Sequence, residues 1–298
     1  MKNNFKAIAT KTLIASAIAS LMAGAAFAAE STEEVKNGST IITSTDTQNA
    51  INKITNDITS NRVSDENASQ KDVGAIYINR IGTNSDAPWE LNADLTFANN
   101  SSVGKGGAIS LDNSSIKLTD AVFTNNTAAG QGGAIRMWAG SGSKSEVTLV
   151  YTKDILLSGN KAGIGNDTTL PSDLMPSQGF ADQGGFAYLN GANNTLTIEA
   201  KEGVAVTIGR TGAADEAGLD SIASNGGAKV NFNGAGTINM NGSMESFVGT
   251  ITVGEGTTLN MATGFGSFDI SAQYAANALD NEDSTPSITP VSSTAFAK

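Results

Sequence analysis

The run NNTAAGQGGAIRM, Asn125 to Met137, has a near twin 26 residues earlier: NNSSVGKGGAISL, Asn99 to Leu111. Paired asparagines open both runs, Gly-Gly-Ala-Ile sits in both, and the offset between the two features is the same. The match reaches upstream, because Phe97 and Phe123 stand three residues before Asn100 and Asn126. Each unit therefore reads Phe-x-x-Asn, then Gly-Gly-Ala-Ile beginning six residues after the Asn. Self-similarity at a fixed period of this length marks stacked structural repeats.

Two weaker copies flank the pair. Upstream, Asn67 precedes Val73-Gly74-Ala75-Ile76 at the same spacing, with Ser64 in the Phe position. Downstream, Leu157-Ser158-Gly159-Asn160 replaces Phe-x-x-Asn, and Gly184-Gly185-Phe186-Ala187 follows 24 residues after Asn160 instead of six. The additional residues include Pro171 and Pro176. They are expected to form an insertion at 161–183 extruded from one coil.

Between the motifs, apolar residues alternate: Ile109 and Leu111, Ile116 and Leu118, Ala121 and Phe123, then Ile135 and Met137, Val147 and Leu149, Ile155 and Leu157. Period two over a few residues is a strand signal. About three short strands per repeat suit the coils of an all-β, right-handed parallel β-helix, a β-solenoid. A sandwich would need longer strands joined by hairpins. A phosphate-binding reading of the glycines fails, because no Gly-Lys-Ser/Thr follows and no helix pattern begins there.

In this frame Gly106, Gly107, Ala108 and Ile109, and equally Gly132, Gly133, Ala134 and Ile135, are structural. The glycines are expected where φ is positive or where a side chain would strike the next coil. Phe97 and Phe123 are expected to stack inside, and Asn100 and Asn126 to form a ladder.

The rest of the chain bounds the class. Residues 1–28 combine Lys2, Lys6 and Lys11, the apolar run Leu13 to Gly24, and Ala26-Phe27-Ala28. That is the pattern of a cleaved secretory signal peptide. No other apolar run approaches the ~20 residues of a membrane-spanning helix. Loss of the three lysines takes the formal charge from −11 to −14, which argues against nucleic acid as a partner. Cysteine and histidine are absent. Ser-His-Asp and Cys-His catalysis are thereby excluded, and stability must come without disulfides.

Residues 29–60 read as a cap segment. It holds one strand at Thr40 to Thr43 and a short helix carrying Ala50, Ile51, Ile54 and Ile58 at helical spacing. Residues 61–270 read as the solenoid, with insertions at 161–183 and 211–226, the second bearing Asp215, Glu216 and Asp220. Residues 271–298 read as a polar linker or disordered tail.

Phe-x-x-Asn followed by Gly-Gly-Ala-Ile, at Phe97, Asn100, Gly106 to Ile109 and at Phe123, Asn126, Gly132 to Ile135, resembles the repeat of polymorphic outer-membrane proteins, a class of autotransporter. Gly236 to Met240 and Phe247 to Met261 are similar to a repeat of autotransporter passengers nearer their barrel. The resemblance implies an exported β-helical adhesin at the cell surface, or an extracellular one. It also implies a barrel translocator if the chain is a fragment, and a periplasmic location if no barrel is encoded. Its implied partner is a host-cell or matrix protein or a glycan.

No catalytic, cofactor-binding or metal-ligating set stands out. Asp94, Asp112, Asp120 and Asp154 are scattered, whereas glycoside hydrolysis needs paired carboxylates. A one-coil offset brings Asp112 and Arg136 within reach, expected as a solvated surface pair. Trp138 follows the inward Met137 and so is expected to point outward as a contact residue, while Trp89, alternating with Leu91, is expected in the core. The function expected is non-catalytic surface display or adhesion through projecting loops, at 161–183 and 211–226, and a solenoid face. The alternative is a polysaccharide lyase or hydrolase on the same scaffold.

Overall fold

The computed structural model describes residues 74–79, 88–91, 93–102, 104–163, 183–214 and 218–262 in full. It also describes the backbone of 34–36, 39–42, 58–59, 62–63, 215, 268–272 and 287–290. The expected signal peptide and most of the segment expected at 161–183 lie outside these residues.

The described chain is a parallel β-solenoid. One seven-stranded wall contains Glu34–Lys36, Ser39–Ile42, Ile76–Asn79, Ile109–Asp112, Ile135–Trp138, Ala187–Asn190 and Ile222–Ser224. A second seven-stranded wall runs from Trp89–Glu90 through Ser115–Thr119, Ser145–Tyr151, Asn194–Ala200, Ala228–Gly234 and Gly249–Val253 to Phe268–Ala272. The third side begins with Ile58–Thr59, Thr96–Ala98 and Val122–Thr124. It continues, across a bridge from Thr124 to Ser158, with Ile155–Leu157, Ala205–Ile208, Thr237–Met240, Thr258–Met261 and Ser287–Pro290. Every ladder among these strands is parallel except the hairpin of Glu34–Lys36 on Ser39–Ile42.

Strict register makes the core. Ile76, Ile109, Ile135, Ala187 and Ile222 form one inward column, and all are fully buried. Ile116, Val147, Leu196 and Val230 form another on the second wall. Each column places like beside like at ~4.8 Å, so apolar burial is continuous along the stack.

Several expectations change. Residues 109–128 carry four strands, Ile109–Asp112, Ser115–Thr119, Val122–Thr124 and Thr127–Ala128, not three. The fourth side is built of two-residue strands such as Ser101–Ser102 and Thr127–Ala128, too short for alternation to show. Ile58 lies in a strand, not a helix; the rest of that expected cap helix falls outside the described residues. Ile222–Ser224, inside the segment 211–226 expected as an insertion, is a strand of the first wall with all three residues buried. The segment 271–298, expected as a linker, contains Ser287–Pro290, paired in register with Thr258–Met261. Its Pro290 sits in the last strand of that sheet's order, where no further ladder bond is required of it.

The glycine pairs fix how closely coils approach. Gly106, Gly132 and Gly184 have φ of 66°, 70° and 70°, the left-handed region that glycine enters without penalty. The second glycine of each pair is needed for space. A Cβ on Gly107 would lie 2.2 Å from the carbonyl oxygen of Gly133, and one on Gly133 2.4 Å from that of Gly185. Gly107→Ala is therefore expected to cost roughly 3 kcal/mol in urea unfolding. Gly142→Ala, where a Cβ would meet nothing within 4 Å despite a φ of 77°, is expected to cost about 1 kcal/mol.

Candidate functional site

Two constellations stand out among the described residues: a buried polar ladder inside the solenoid and a polar–aromatic cluster on the outer face of the first wall.

The ladder begins with the paired asparagines. The first of each pair, Asn99 and Asn125, has φ of 56° and 53°. Asparagine tolerates that left-handed turn better than most residues, and Gly159 takes the same place one coil on with φ 80°. The turn aims the second asparagine inward. Asn126 Oδ1 accepts from Asn100 Nδ2 at 2.8 Å and from the Asn100 amide at 3.2 Å. Asn160 Oδ1 accepts from the same two groups of Asn126, at 2.9 and 3.2 Å. The second amide proton of each is also used: Asn126 Nδ2 donates to Phe97 O and Asn160 Nδ2 to Phe123 O.

The next rung is a carboxylate. Asp220 Oδ1 accepts from the Asn160 amide at 2.8 Å and from Asn160 Nδ2 at 3.1 Å, and its Oδ2 accepts from the Gly159 amide at 2.7 Å. Asp220 itself is buried. Burial pushes its carboxyl above the usual 3.8, while the three bonds and the charge of Arg210 pull in the opposite direction. Beside the ladder, Phe97 and Phe123 stack with centroids 4.8 Å apart, and Phe186 meets Phe123 edge-on at 6.1 Å.

The outer cluster comes from alternation on the first wall. With Ile135 and Met137 inward, Arg136 and Trp138 face outward. Arg136 pairs with Asp112 through Nη1 and Oδ1, and Tyr77 Oη donates to Asp112 Oδ2 at 3.0 Å. The pair is not solvated as expected: the Arg136 side chain is 3% exposed and that of Asp112 14%. Tyr188, in register with Arg136, has its hydroxyl pushed up by burial, with the Arg136 charge acting against it. Trp138 is 36% exposed, outward as expected. Trp89 is half-buried in the column of Ile116.

The repeat residues of both copies are thus brought together. Ala108, Ile109, Ala134 and Ile135 are fully buried beside the glycine pairs. Sequence reading missed Asp220 as a rung, because 60 residues separate it from Asn160 and an aspartate stands in place of the asparagine, although Gly226-Gly227-Ala228 follows it at the six-residue spacing of the repeat. It also missed Tyr77, which lies 35 residues from Asp112. Among the described residues no group of three or more Asp or Glu could hold a metal ion.

The family model of the Chlamydia polymorphic membrane protein repeat matches residues 94–112 and 120–136. The chain therefore carries two copies similar to a repeat of a surface-associated membrane-protein family. No curated protein and no solved structure matches it.

Replacing Asn126 by Leu would strip two buried donors of Asn100 of their acceptor, and a cost of about 3 kcal/mol is expected in chemical unfolding. The Asp220 shift gives a second test. A carboxyl raised in the folded state binds more protons folded than unfolded. Its contribution favours folding below 3.8 and is lost as pH rises through the folded value. The stability of Asp220→Asn minus that of the wild type is expected to increase over that window and then level. A flat difference would contradict the shift.

Proposed function

We propose that the chain is a non-catalytic, β-helical passenger of the autotransporter type. It is displayed at the bacterial surface and adheres to host-cell or matrix molecules through a face of the solenoid. The observation that carries this reading is the stacking of two full repeats in register, Phe97 on Phe123 and Asn100 on Asn126, where the repeat of a polymorphic membrane protein family matches.

The physics of the scaffold supports it. A rigid parallel stack presents outward side chains at fixed spacing, so binding orders little that is not already ordered. The chain's formal charge of −11 favours solubility and works against polyanionic partners.

The test uses the full chain. Beads coated with it are expected to adhere saturably to cultured epithelial cells or matrix-coated plates, and soluble chain is expected to compete. Absence of adhesion to every surface, together with new reducing ends or unsaturated products from polysaccharides, would replace this reading with an enzymatic one.

A further inference from the structure

Trp138 is one of three exposed large hydrophobic residues among those described, with Leu156 and Val248, and its ring is held in place. A Cβ on Gly140 would lie 3.2 Å from its Cη2 and 3.8 Å from its Cζ2, so the indole lies against the Gly140 backbone. Gly140 is not among the glycines with positive φ; the ring explains its identity. The loop beneath is tied down as well: the Gly140 amide donates to Asn113 Oδ1 at 2.8 Å, and Ser145 Oγ donates to Trp138 O at 2.5 Å.

Parallel register then sets the ring's neighbours. Asn79, Asp112, Trp138 and Asn190 occupy equivalent outward positions on four consecutive strands, about 4.8 Å apart. Asn225 donates through Nδ2 to Asn190 Oδ1. On the other side, Tyr77 and Arg136 hold the Asp112 carboxylate. The result is a ridge along the solenoid axis with a fixed aromatic ring at its centre and planar amide and carboxylate groups on both sides.

We propose that this ridge binds a neutral, linear glycan lying along the solenoid axis. One pyranose stacks its C–H face on Trp138, and its neighbours hydrogen-bond to Asp112 on one side and to Asn190 and Asn225 on the other. An apolar ring with a few fixed polar groups is the usual composition of a small-ligand site. An extended β-1,4-linked glycan advances by roughly 5 Å per sugar, near enough to the strand spacing of ~4.8 Å for adjacent sugars to face adjacent strands. Charge selects within the class: with Asp112 neutralised by Arg136, no cation is left at the ridge by that pair, and the formal net charge of −11 disfavours sulfated or uronic chains. The inference deepens the adhesion reading and rests on it.

The probes are chitotetraose and cellotetraose, with heparin as the polyanionic control, titrated into the full chain and followed by tryptophan fluorescence and calorimetry. At least one neutral tetrasaccharide is expected to bind and to change the fluorescence of Trp89→Phe as it does that of the wild type. Trp138→Ala is expected to weaken binding on the order of 10- to 100-fold with unchanged far-UV circular dichroism. Gly140→Ala, which only pushes the ring aside, is expected to weaken it less. Failure of both tetrasaccharides to bind at millimolar concentration overturns the proposal, as does wild-type affinity in Trp138→Ala or binding of heparin alone. Bead adhesion separates the two readings. Undiminished adhesion by Trp138→Ala beads sinks the glycan site and leaves the adhesion reading standing. Wild-type beads that adhere to nothing sink the adhesion reading itself.

Discussion

The structure depends on how closely one coil can lie on the next at the Gly-Gly corner. A Cβ on the second glycine would fall 2.1 to 2.4 Å from a carbonyl oxygen of the following coil at Gly107, Gly133 and Gly185. That corner admits only one kind of residue, and so it pins the register of the coils that carry it. Register matters because side chains alternate with period two. A slip of one residue would carry the whole inward set to the outside. With the corner fixed, Ile109 meets Ile135, Phe97 meets Phe123 and Asn100 meets Asn126. The hydrophobic core and the polar ladder are both consequences of the same close contact.

The ladder has a direction, and that direction explains its last rung. The Asn126 and Asn160 oxygens each accept two bonds from the preceding coil, and their amide nitrogens each donate to the next rung and to a carbonyl. Asn160 donates in the same way, and Gly159 adds a third donor through its amide. Three converging donors suit a group that only accepts, which is what an ionised carboxylate is. An amide at 220 would set its own N–H2 against the Gly159 N–H if it kept this orientation. The hydrogen-bond geometry favours the charged form and burial disfavours it, with burial the larger effect.

The fold was legible where the repeat is strict. The 26-residue period, the inward isoleucines, the stacked phenylalanines and the asparagine ladder all follow from Phe97 to Met137 read as two coils. Legibility declines where coil length changes. The segment 211–226 read as an insertion carrying Asp215, Glu216 and Asp220, and the six-residue spacing from Asp220 to Gly226-Gly227 went unread because an aspartate replaces the asparagine. Yet Asp220 serves the ladder and Ile222–Ser224 joins the first wall. Two-residue strands leave no periodic trace. The outer cluster was half legible. One-coil reasoning brought Asp112 and Arg136 together, but it could not give their burial, nor the Tyr77 hydroxyl that reaches Asp112 from a coil with a weak motif. The outward direction of Trp138 followed from alternation alone, whereas the clamp by Gly140 needed coordinates.

The outer surface changes character along the stack. In the earlier coils, cross-coil contacts include ion pairs: Lys117 with Glu90, Lys153 with Asp94 and Arg136 with Asp112. In the later coils they include neutral ladders: Asn231 to Thr197, Asn239 to Thr207 and Asn260 to Asn239. The first two ion pairs are exposed, and exposed pairs contribute little and are screened by salt. Amide and hydroxyl ladders do not titrate, and salt screens them little. The dependence of this stack on solution conditions therefore concentrates where charge is withdrawn from water, as at the buried Arg136–Asp112 pair, where loss of one partner leaves an uncompensated charge, and at Asp220. The pair lies within the two strict repeats, and Asp220 in a less regular coil.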